Sequence, residues 1–178
     1  MRIDVSDLKK SPGESIQVEL SSPLPEFEFN GEKLIFNGPV RASLEVTNTG
    51  KALLVEGEVR GVLEVRCARC LEPFRWPVET TLNEVYYPAD NEEAAVVDPA
   101  EEEYQEWIPF TGDVLDVTPE VLKSIMLALP MRFLCDENCR GLCPRCGRNL
   151  NVAECSCPGE DVDPRLMVLK DMFKDVNR

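Results

Sequence analysis

Apolar and polar residues alternate along the first half of the chain. Every second residue is apolar in Ser15–Ser21, and the same period of two recurs in Val40–Thr47. Such a segment has one apolar and one polar face, which is typical of a half-buried strand. Between these two segments, Asn30-Gly31 is flanked by short apolar runs and favours a two-residue hairpin turn.

Two further stretches extend this pattern towards the middle of the chain. Ala52–Glu56 and Glu58–Arg66 are predicted as strands separated at Gly57, and Phe74–Tyr87 returns as the next strand. The Cys67–Cys70 segment then lies at the end of a strand. We expect an antiparallel, meander-like sheet.

Helical spacing begins only later. Thr118 is predicted to cap a helix over 119–129 with Pro119 in its first position, and Pro130 follows it. Asp163-Pro164 precedes a second apolar stripe at helical spacing, formed by Leu166, Leu169, Met172 and Phe173. Six cysteines lie within residues 135–157, a density typical of a zinc site. The predicted fold is therefore α+β: an antiparallel β-rich domain with two short helices and a C-terminal cysteine zinc knuckle.

The same signals divide the chain into three parts. We predict a β-rich domain at 1–130, including an acidic loop at 88–106 and the helix at 119–129. A cysteine-rich zinc-binding module follows at 131–162, and a C-terminal helix occupies 163–178.

The net charge of -14 is concentrated in one segment. Trp76–Leu122 has 13 acidic residues and no Lys or Arg, whereas the rest of the chain has 20 acidic and 19 basic residues. An argument from net charge against nucleic-acid binding therefore applies to this segment alone. The acidic loop is interpreted either as a solubilising loop or as a mimic of a phosphate backbone.

The absence of targeting or membrane segments and the absence of histidine limit the location and the chemistry of the protein. The sequence has neither a signal-peptide pattern nor 18 consecutive apolar residues, so we expect a cytoplasmic protein without membrane contact. Disulfides are rare in a reducing cytosol, which favours zinc for the cysteines. The chain has no histidine, which excludes Ser-His-Asp and Cys-His catalysis and leaves sulfur or carboxylate to hold a metal. We predict that the protein is not an enzyme.

All eight cysteines occur in pairs and are candidate ligands of structural zinc: Cys67, Cys70, Cys135, Cys139, Cys143, Cys146, Cys155 and Cys157. Two arrangements remain open. In the first, the last four cysteines bind one ion, while the two preceding pairs join across the chain to bind a second. In the alternative, four of the six C-terminal thiols bind a single ion and Cys67 and Cys70 stay as reduced thiols.

Arginines surround both groups of cysteines. Arg66, Arg69 and Arg75 flank the first pair, and Arg145 and Arg148 lie in the C-terminal group. These side chains either neutralise zinc thiolates or bind the phosphates of RNA or a partner surface. A redox role for Cys67 and Cys70 is a further hypothesis, although no helix follows the pair to lower the thiol pKa.

The chain resembles the YceD-type family of large ribosomal RNA subunit accumulation proteins, in the branch with a cysteine-rich tail. The resemblance rests on Cys67-Ala-Arg-Cys70-Leu-Glu-Pro-Phe74, the acidic middle, and the tail from Cys139-Arg-Gly-Leu-Cys143-Pro-Arg-Cys146 to Asp163-Pro-Arg-Leu166. It implies a non-catalytic role in ribosome biogenesis, with large-subunit ribosomal RNA or its precursor particle as partner. Two alternatives stay open: an acidic, chaperone-like partner of a basic ribosomal protein, and a thiol-redox regulator.

Overall fold

Strands are the dominant secondary structure, as the alternation predicts. The structure is a computed structural model that describes residues 1–89 and 107–157. Its strands are β1 (Arg2–Asp4), β2 (Ser15–Ser22), β3 (Phe27–Phe29), β4 (Glu32–Phe36), β5 (Val40–Asn48), β6 (Leu53–Arg66), β7 (Pro73–Pro88), β8 (Trp107–Phe110) and β9 (Val114–Asp116). The α-helix of the described residues is α1 (Thr118–Ala128), and a 3-10 turn covers Leu8–Lys10.

The two strands predicted from the clearest alternation pair with each other. β2 and β5 are antiparallel, from Ser15 opposite Thr47 to Ser22 opposite Val40. Alternate residues of β5 are buried, whereas the apolar residues of β2 are half-buried. The difference arises because β5 has a neighbour on each side and β2 has one.

The predicted hairpin is also present. β3 and β4 pair on either side of Asn30 and Gly31, whose φ angles are 51° and 81°. Positive φ at both central residues is what a type I′ turn requires, and Asn-Gly adopts it readily. The last two residues of β4 pair with β6, which attaches the hairpin to the main sheet.

The predicted break at Gly57 is wrong, because β6 runs through it as one strand. A Cβ atom at Gly57 would lie 2.0 Å from the carbonyl oxygen of Ser43 on β5. The glycine is therefore required for close approach of the two backbones within the sheet, and not for a turn.

β6 is the centre of the main sheet. β5 lies along the first half of one edge and β4 along its end, while β7 pairs with the whole of the other edge. The antiparallel prediction fails at β8, which lies parallel to β7 from Val85 opposite Trp107 to Pro88 opposite Phe110. A parallel pair needs a long connection, so local alternation gives no sign of it.

The helix at 118–128 confirms the first helical prediction within one residue. Val121 and Ile125 are fully buried, and the helix packs against β7. There the Tyr86 hydroxyl donates to the Glu120 carboxylate at 3.0 Å, and burial together with this carboxylate raises the pKa of Tyr86. The helix thereby covers one side of the sheet.

The predicted cap is wrong in detail. Thr118 is the first helical residue, and its hydroxyl and backbone N–H both donate to the Asp116 carboxylate, at 2.6 and 3.0 Å. These two hydrogen bonds, from the hydroxyl first, lower the pKa of Asp116. Asp116 ends β9, which pairs with β1, so the start of the chain is joined to the start of the helix.

Two predicted elements lie outside the described residues. They are the acidic loop, apart from Pro88 and Ala89, and the C-terminal helix at 163–178. Within the described residues, no helix is long and apolar enough to cross a membrane.

Phe133 fixes the path of the chain after α1. Its ring packs edge-on against Trp76 with centroids 5.7 Å apart, and lies 6.4 Å from the ring of Phe29. Phe133 is buried in the main hydrophobic core. This packing brings the cysteines that follow to the end of β6 and β7.

Substitution of Gly57 tests the close approach of β5 and β6. Gly57→Ala should lower the free energy of unfolding by about 3 kcal/mol, because the methyl group meets a backbone oxygen and not a movable side chain. Gly61→Ala on the same strand is the control, since its Cβ would meet a Val40 methyl group at 3.2 Å. Urea denaturation measures both, and equal losses would contradict the close-contact explanation.

Candidate metal centre

The eight cysteines form two groups of four. The sheet-end cluster consists of Cys67, Cys70, Cys135 and Cys139, and the distal cluster consists of Cys143, Cys146, Cys155 and Cys157. Within each cluster all four sulfur atoms lie within 4.8 Å of one another. This is the grouping of the two-ion arrangement, and Cys67 and Cys70 do not stand apart as an isolated pair.

Two turns of the same shape provide half of each cluster. The residue after the second cysteine has a positive φ, 61° at Leu71 and 71° at Gly147. In both turns its N–H donates to the carbonyl of the first cysteine at 2.9 Å. Two residues between the thiols thus let both sulfurs face one point, as the spacing predicts.

The second half of the sheet-end cluster is bonded to the first turn. The Ala68 N–H donates to the Phe133 carbonyl at 2.8 Å, next to the core contact of Phe133. The Arg69 guanidinium donates to the carbonyls of Glu137 and Cys139 at 3.0 and 2.9 Å. These contacts hold the loop between Cys135 and Cys139 against the end of the sheet.

The distal cluster rests on this assembly. The Leu142 N–H donates to the Arg69 carbonyl at 3.1 Å, and a Cβ atom at Gly141 would lie 3.0 Å from that oxygen. Gly141 also has φ of 72°, so glycine suits both the conformation and the contact. Arg148 donates to the carbonyl of Glu154 at 2.9 Å, which closes the distal loop.

The sulfur spacing fits zinc. Cys67 and Cys139 sulfurs are 3.7 Å apart, as are those of Cys70 and Cys135. Zinc–sulfur bonds of about 2.3 Å in a tetrahedron place the sulfurs about 3.8 Å apart. A disulfide needs about 2.05 Å, and all eight cysteines are free thiols. Four sulfurs would complete the tetrahedron, leaving no position for a reacting water.

In each cluster the pKa of one thiol is lowered, which favours its thiolate form, and the pKa of another thiol is raised. Burial opposes ionisation of Cys67, but backbone N–H groups, those of Cys135 and Cys70 first, lower its pKa to about 6. Burial, followed by the neighbouring thiols, raises the pKa of Cys135 to about 12. A cation at the centre would supply the positive charge that lets all four sulfurs ionise.

The distal cluster shows the same contrast. The N–H groups of Cys146 and Arg145 lower the pKa of Cys143 to about 6. The hydrogen bond with Cys146, and then burial, raises the pKa of Cys157 to about 12.

The five arginines singled out from the sequence have different surroundings. Arg69 and Arg148 donate to loop carbonyls beside the cysteines, and Arg145 lies in the distal turn. Arg66 and Arg75 are exposed on one face of the sheet. They lie diagonally across β6 and β7, because the residue opposite Arg75 is Glu64 and the residue opposite Arg66 is Pro73. The structure therefore separates loop-holding arginines from sheet-face arginines.

Some contacts of the site have no clear sequence signal. The Asn151 amide donates to the Cys139 sulfur at 3.2 Å, and its carbonyl oxygen accepts from the Arg140 N–H at 2.7 Å. This joins the distal loop to the sheet-end cluster. A polar residue twelve positions after a cysteine forms no recognisable motif, so sequence reasoning missed it.

Comparison with known proteins assigns the chain to a family. The family described as Large ribosomal RNA subunit accumulation protein YceD matches residues 55–173, which include both clusters. The chain belongs to the YceD family. The matched residues include most of the β6–β7 ladder and the described cysteine segment.

Several curated relatives cover most of the chain. An uncharacterized protein of Mycobacterium tuberculosis is 30% identical over 180 residues, covering 97% of this chain and 81% of that protein. YlbN of Bacillus subtilis is 24% identical, with 98% and 97% covered. A chloroplastic large ribosomal RNA subunit accumulation protein YCED homolog of Zea mays is 28% identical, covering 76% of this chain and 54% of that protein. No solved structure matches significantly.

The two clusters predict a metal content of two zinc ions per chain. Cys143→Ser should release one ion and disorder mainly the distal loop, whereas Cys70→Ser should release the ion at the sheet end. Elemental analysis of reduced, chelator-washed protein measures this, with Ser156→Ala as the control between two ligands. Loss of both ions from either single variant would contradict independent sites.

Leu71 tests the strain in the first turn. A non-glycine residue at φ of 61° costs about 1 kcal/mol or more, so Leu71→Gly should raise the free energy of unfolding relative to Leu71→Ala by about 1 kcal/mol. Both variants remove the exposed leucine side chain, so their difference isolates the backbone. Chemical denaturation of zinc-loaded protein measures it. Equal stability would show that the turn carries no such strain.

Proposed function

We propose that the protein is a non-catalytic, cytoplasmic ribosome-biogenesis factor that supports the accumulation of large-subunit ribosomal RNA. Membership of the YceD family carries this proposal, together with the names of the plant relatives. The geometry of the cysteines agrees with a binding role, because four-sulfur sites are structural and closed.

Zinc is the proposed ion in both clusters. The donor sets contain sulfur alone, and thiolate suits zinc better than it suits magnesium or calcium. A structural zinc site supplies folding free energy on the order of 10 kcal/mol in small peptides. The cysteine segment has few buried apolar side chains of its own, so such a contribution would decide whether it is ordered.

The proposed RNA contact lies at the cysteine end of the sheet. Arg66 and Arg75 are exposed there, and no hydrogen bond or ion pair within the described part of the chain involves either guanidinium. Arg145 is exposed in the neighbouring module. Guanidinium groups bind phosphate through paired donors, which makes these side chains suitable for an RNA backbone.

The charge of the remaining sheet face supports this placement. Glu45 and Glu56 face each other across β5 and β6, with Glu19 and Glu58 nearby on the same exposed surface. A polyanion is repelled from this region. Approach to the cysteine end is therefore favoured by the distribution of charge and not by the net charge.

Arg69 and Arg148 are proposed to act on the metal sites first. Their guanidinium groups already donate to carbonyls of the cysteine loops. Removing the Arg69 guanidinium would leave two carbonyls without this donor. These two arginines therefore affect RNA binding mainly through the position of the loops.

Salt dependence of RNA binding tests the proposed contact. Arg66→Gln combined with Arg75→Gln should reduce the slope of log affinity against log salt by about 1.4 to 1.8, since each neutralised phosphate contributes about 0.7 to 0.9. Arg41→Gln with Arg60→Gln is the control for the loss of two charges, because these arginines face each other on the same sheet about 13 to 20 Å away along the strands, where Arg60 pairs with Glu58 and Glu79. Filter binding to large-subunit ribosomal RNA measures the slopes.

The results separate the proposed function from its competitors. An unchanged slope in the Arg66 and Arg75 variant, with zinc retained, would contradict the RNA contact. Binding to a basic ribosomal protein without binding to RNA would contradict the RNA role itself. Equal effects of both arginine pairs would place the contact over the whole sheet face.

A further inference from the structure

β2 is a long, open edge of the main sheet. It pairs with β5 on one side, and no strand in the described ranges pairs with its other side. Unpaired N–H and C=O groups on an edge can pair with another strand. We propose that β2 pairs antiparallel with β2 of a second copy of this chain, forming a two-fold symmetric dimer with one continuous sheet.

The hydrogen-bond phase shows which groups face the open side. The Asn48 N–H donates to the Glu14 carbonyl at 2.9 Å, and bonded and non-bonded pairs then alternate along β2 and β5. Even-numbered residues of β2 are therefore bonded to β5. The odd-numbered residues direct their backbone groups to the open side: Ser15, Gln17, Glu19 and Ser21.

Apart from the carboxylate of Glu19, the edge lacks the features that usually prevent pairing. Its eight residues pair with β5 without a bulge, and Ser15–Ser22 contains no proline, lysine or arginine. Pro12 and Pro23 lie just outside it, which limits the strand at both ends. The outer strands β3 and β8 have only three and four residues. β8 covers only the last four residues of β7, and the rest of that edge contains Pro73, Arg75 and Pro77, which oppose pairing.

The sequence of β2 is complementary to itself in one register. A two-fold axis at Val18 places Gln17 opposite Glu19 of the second copy, and this amide–carboxylate pair occurs twice. The same axis places Ile16 opposite Leu20, so apolar residues meet on the inner face. Cross-strand neighbours of this kind stabilise a sheet.

Other registers are less favourable. A shift by one residue would bring apolar side chains opposite polar ones on the wrong face. A shift that centres the axis on Glu19 places two carboxylates opposite each other, and one that centres it on Gln17 removes the amide–carboxylate pairs. The register at Val18 gives the same overlap as the one at Glu19 and a longer overlap than the one at Gln17.

The side chains are already placed for this contact. The Ser43 hydroxyl donates to Oε2 of Glu19 at 2.8 Å, which leaves Oε1 able to accept from the amide. Ile16, Val18 and Leu20 pack against the core but remain half-buried, so a second copy would cover their exposed part. The net charge of -14 opposes association. Salt of about 0.15 M weakens this repulsion, because exposed charges farther apart than about 8 Å are largely screened from each other.

The experiment is sedimentation equilibrium of the full, zinc-loaded chain at about 0.15 M salt, from micromolar to hundreds of micromolar protein. We expect a reversible dimer. Gln17→Glu should weaken it about tenfold, because two attractive pairs become two repulsive ones. Gln17→Glu combined with Glu19→Gln should restore it, since amide and carboxylate exchange places and still face each other.

Thr111→Glu is the control, because it adds the same charge in an exposed turn away from the edge. It should leave dimerisation unchanged, and circular dichroism should show all variants folded. A monomer at every concentration overturns the proposal. A dimer that ignores Gln17→Glu, or that the double variant does not restore, overturns pairing through β2 in this register.

Discussion

The meeting of two distant segments at the Cys67–Cys70 turn constrains the rest of the structure. The turn ends the long β6–β7 ladder, and the other two sulfurs come from the segment after α1. Sulfurs 3.7 Å apart leave little tolerance, so the end of the sheet, the packing of α1 and the path of the following chain must agree. The Phe133 contacts in the core and at Ala68 link these requirements.

This constraint distinguishes two groups of arginines near the cysteines. A zinc ion with four thiolates carries a formal charge of -2, which favours nearby cations. Arg69 also holds the loop between Cys135 and Cys139, because its guanidinium donates to two carbonyls of that loop. Arg66 and Arg75 lie on the sheet, where they do not hold a loop.

Local patterns predicted local structure well. Alternation located β2, β5 and β7, Asn-Gly located the hairpin, and helical spacing located α1. The errors arise where a distant segment of backbone determines the local structure. Gly57 is needed for the close approach of β5, and β8 pairs parallel with β7. Thr118 likewise bonds to Asp116 instead of capping the helix. The spacing of the cysteines identified all eight as candidate metal ligands. Their division into two clusters depends on tertiary structure, so two arrangements were compatible with the sequence.

The carboxylates on the exposed face of the sheet affect both the stability of the sheet and the approach of charged molecules. Glu45 opposite Glu56 is an unfavourable pair, since like charges across neighbouring strands repel. Water and salt reduce this cost at an exposed site, and the β5–β6 ladder tolerates it. The repulsion nevertheless extends to any approaching polyanion. Under the proposed function, a fold with a net charge of -14 receives RNA at its cysteine end, because the carboxylates direct the phosphates away from the middle of the sheet and towards Arg66 and Arg75.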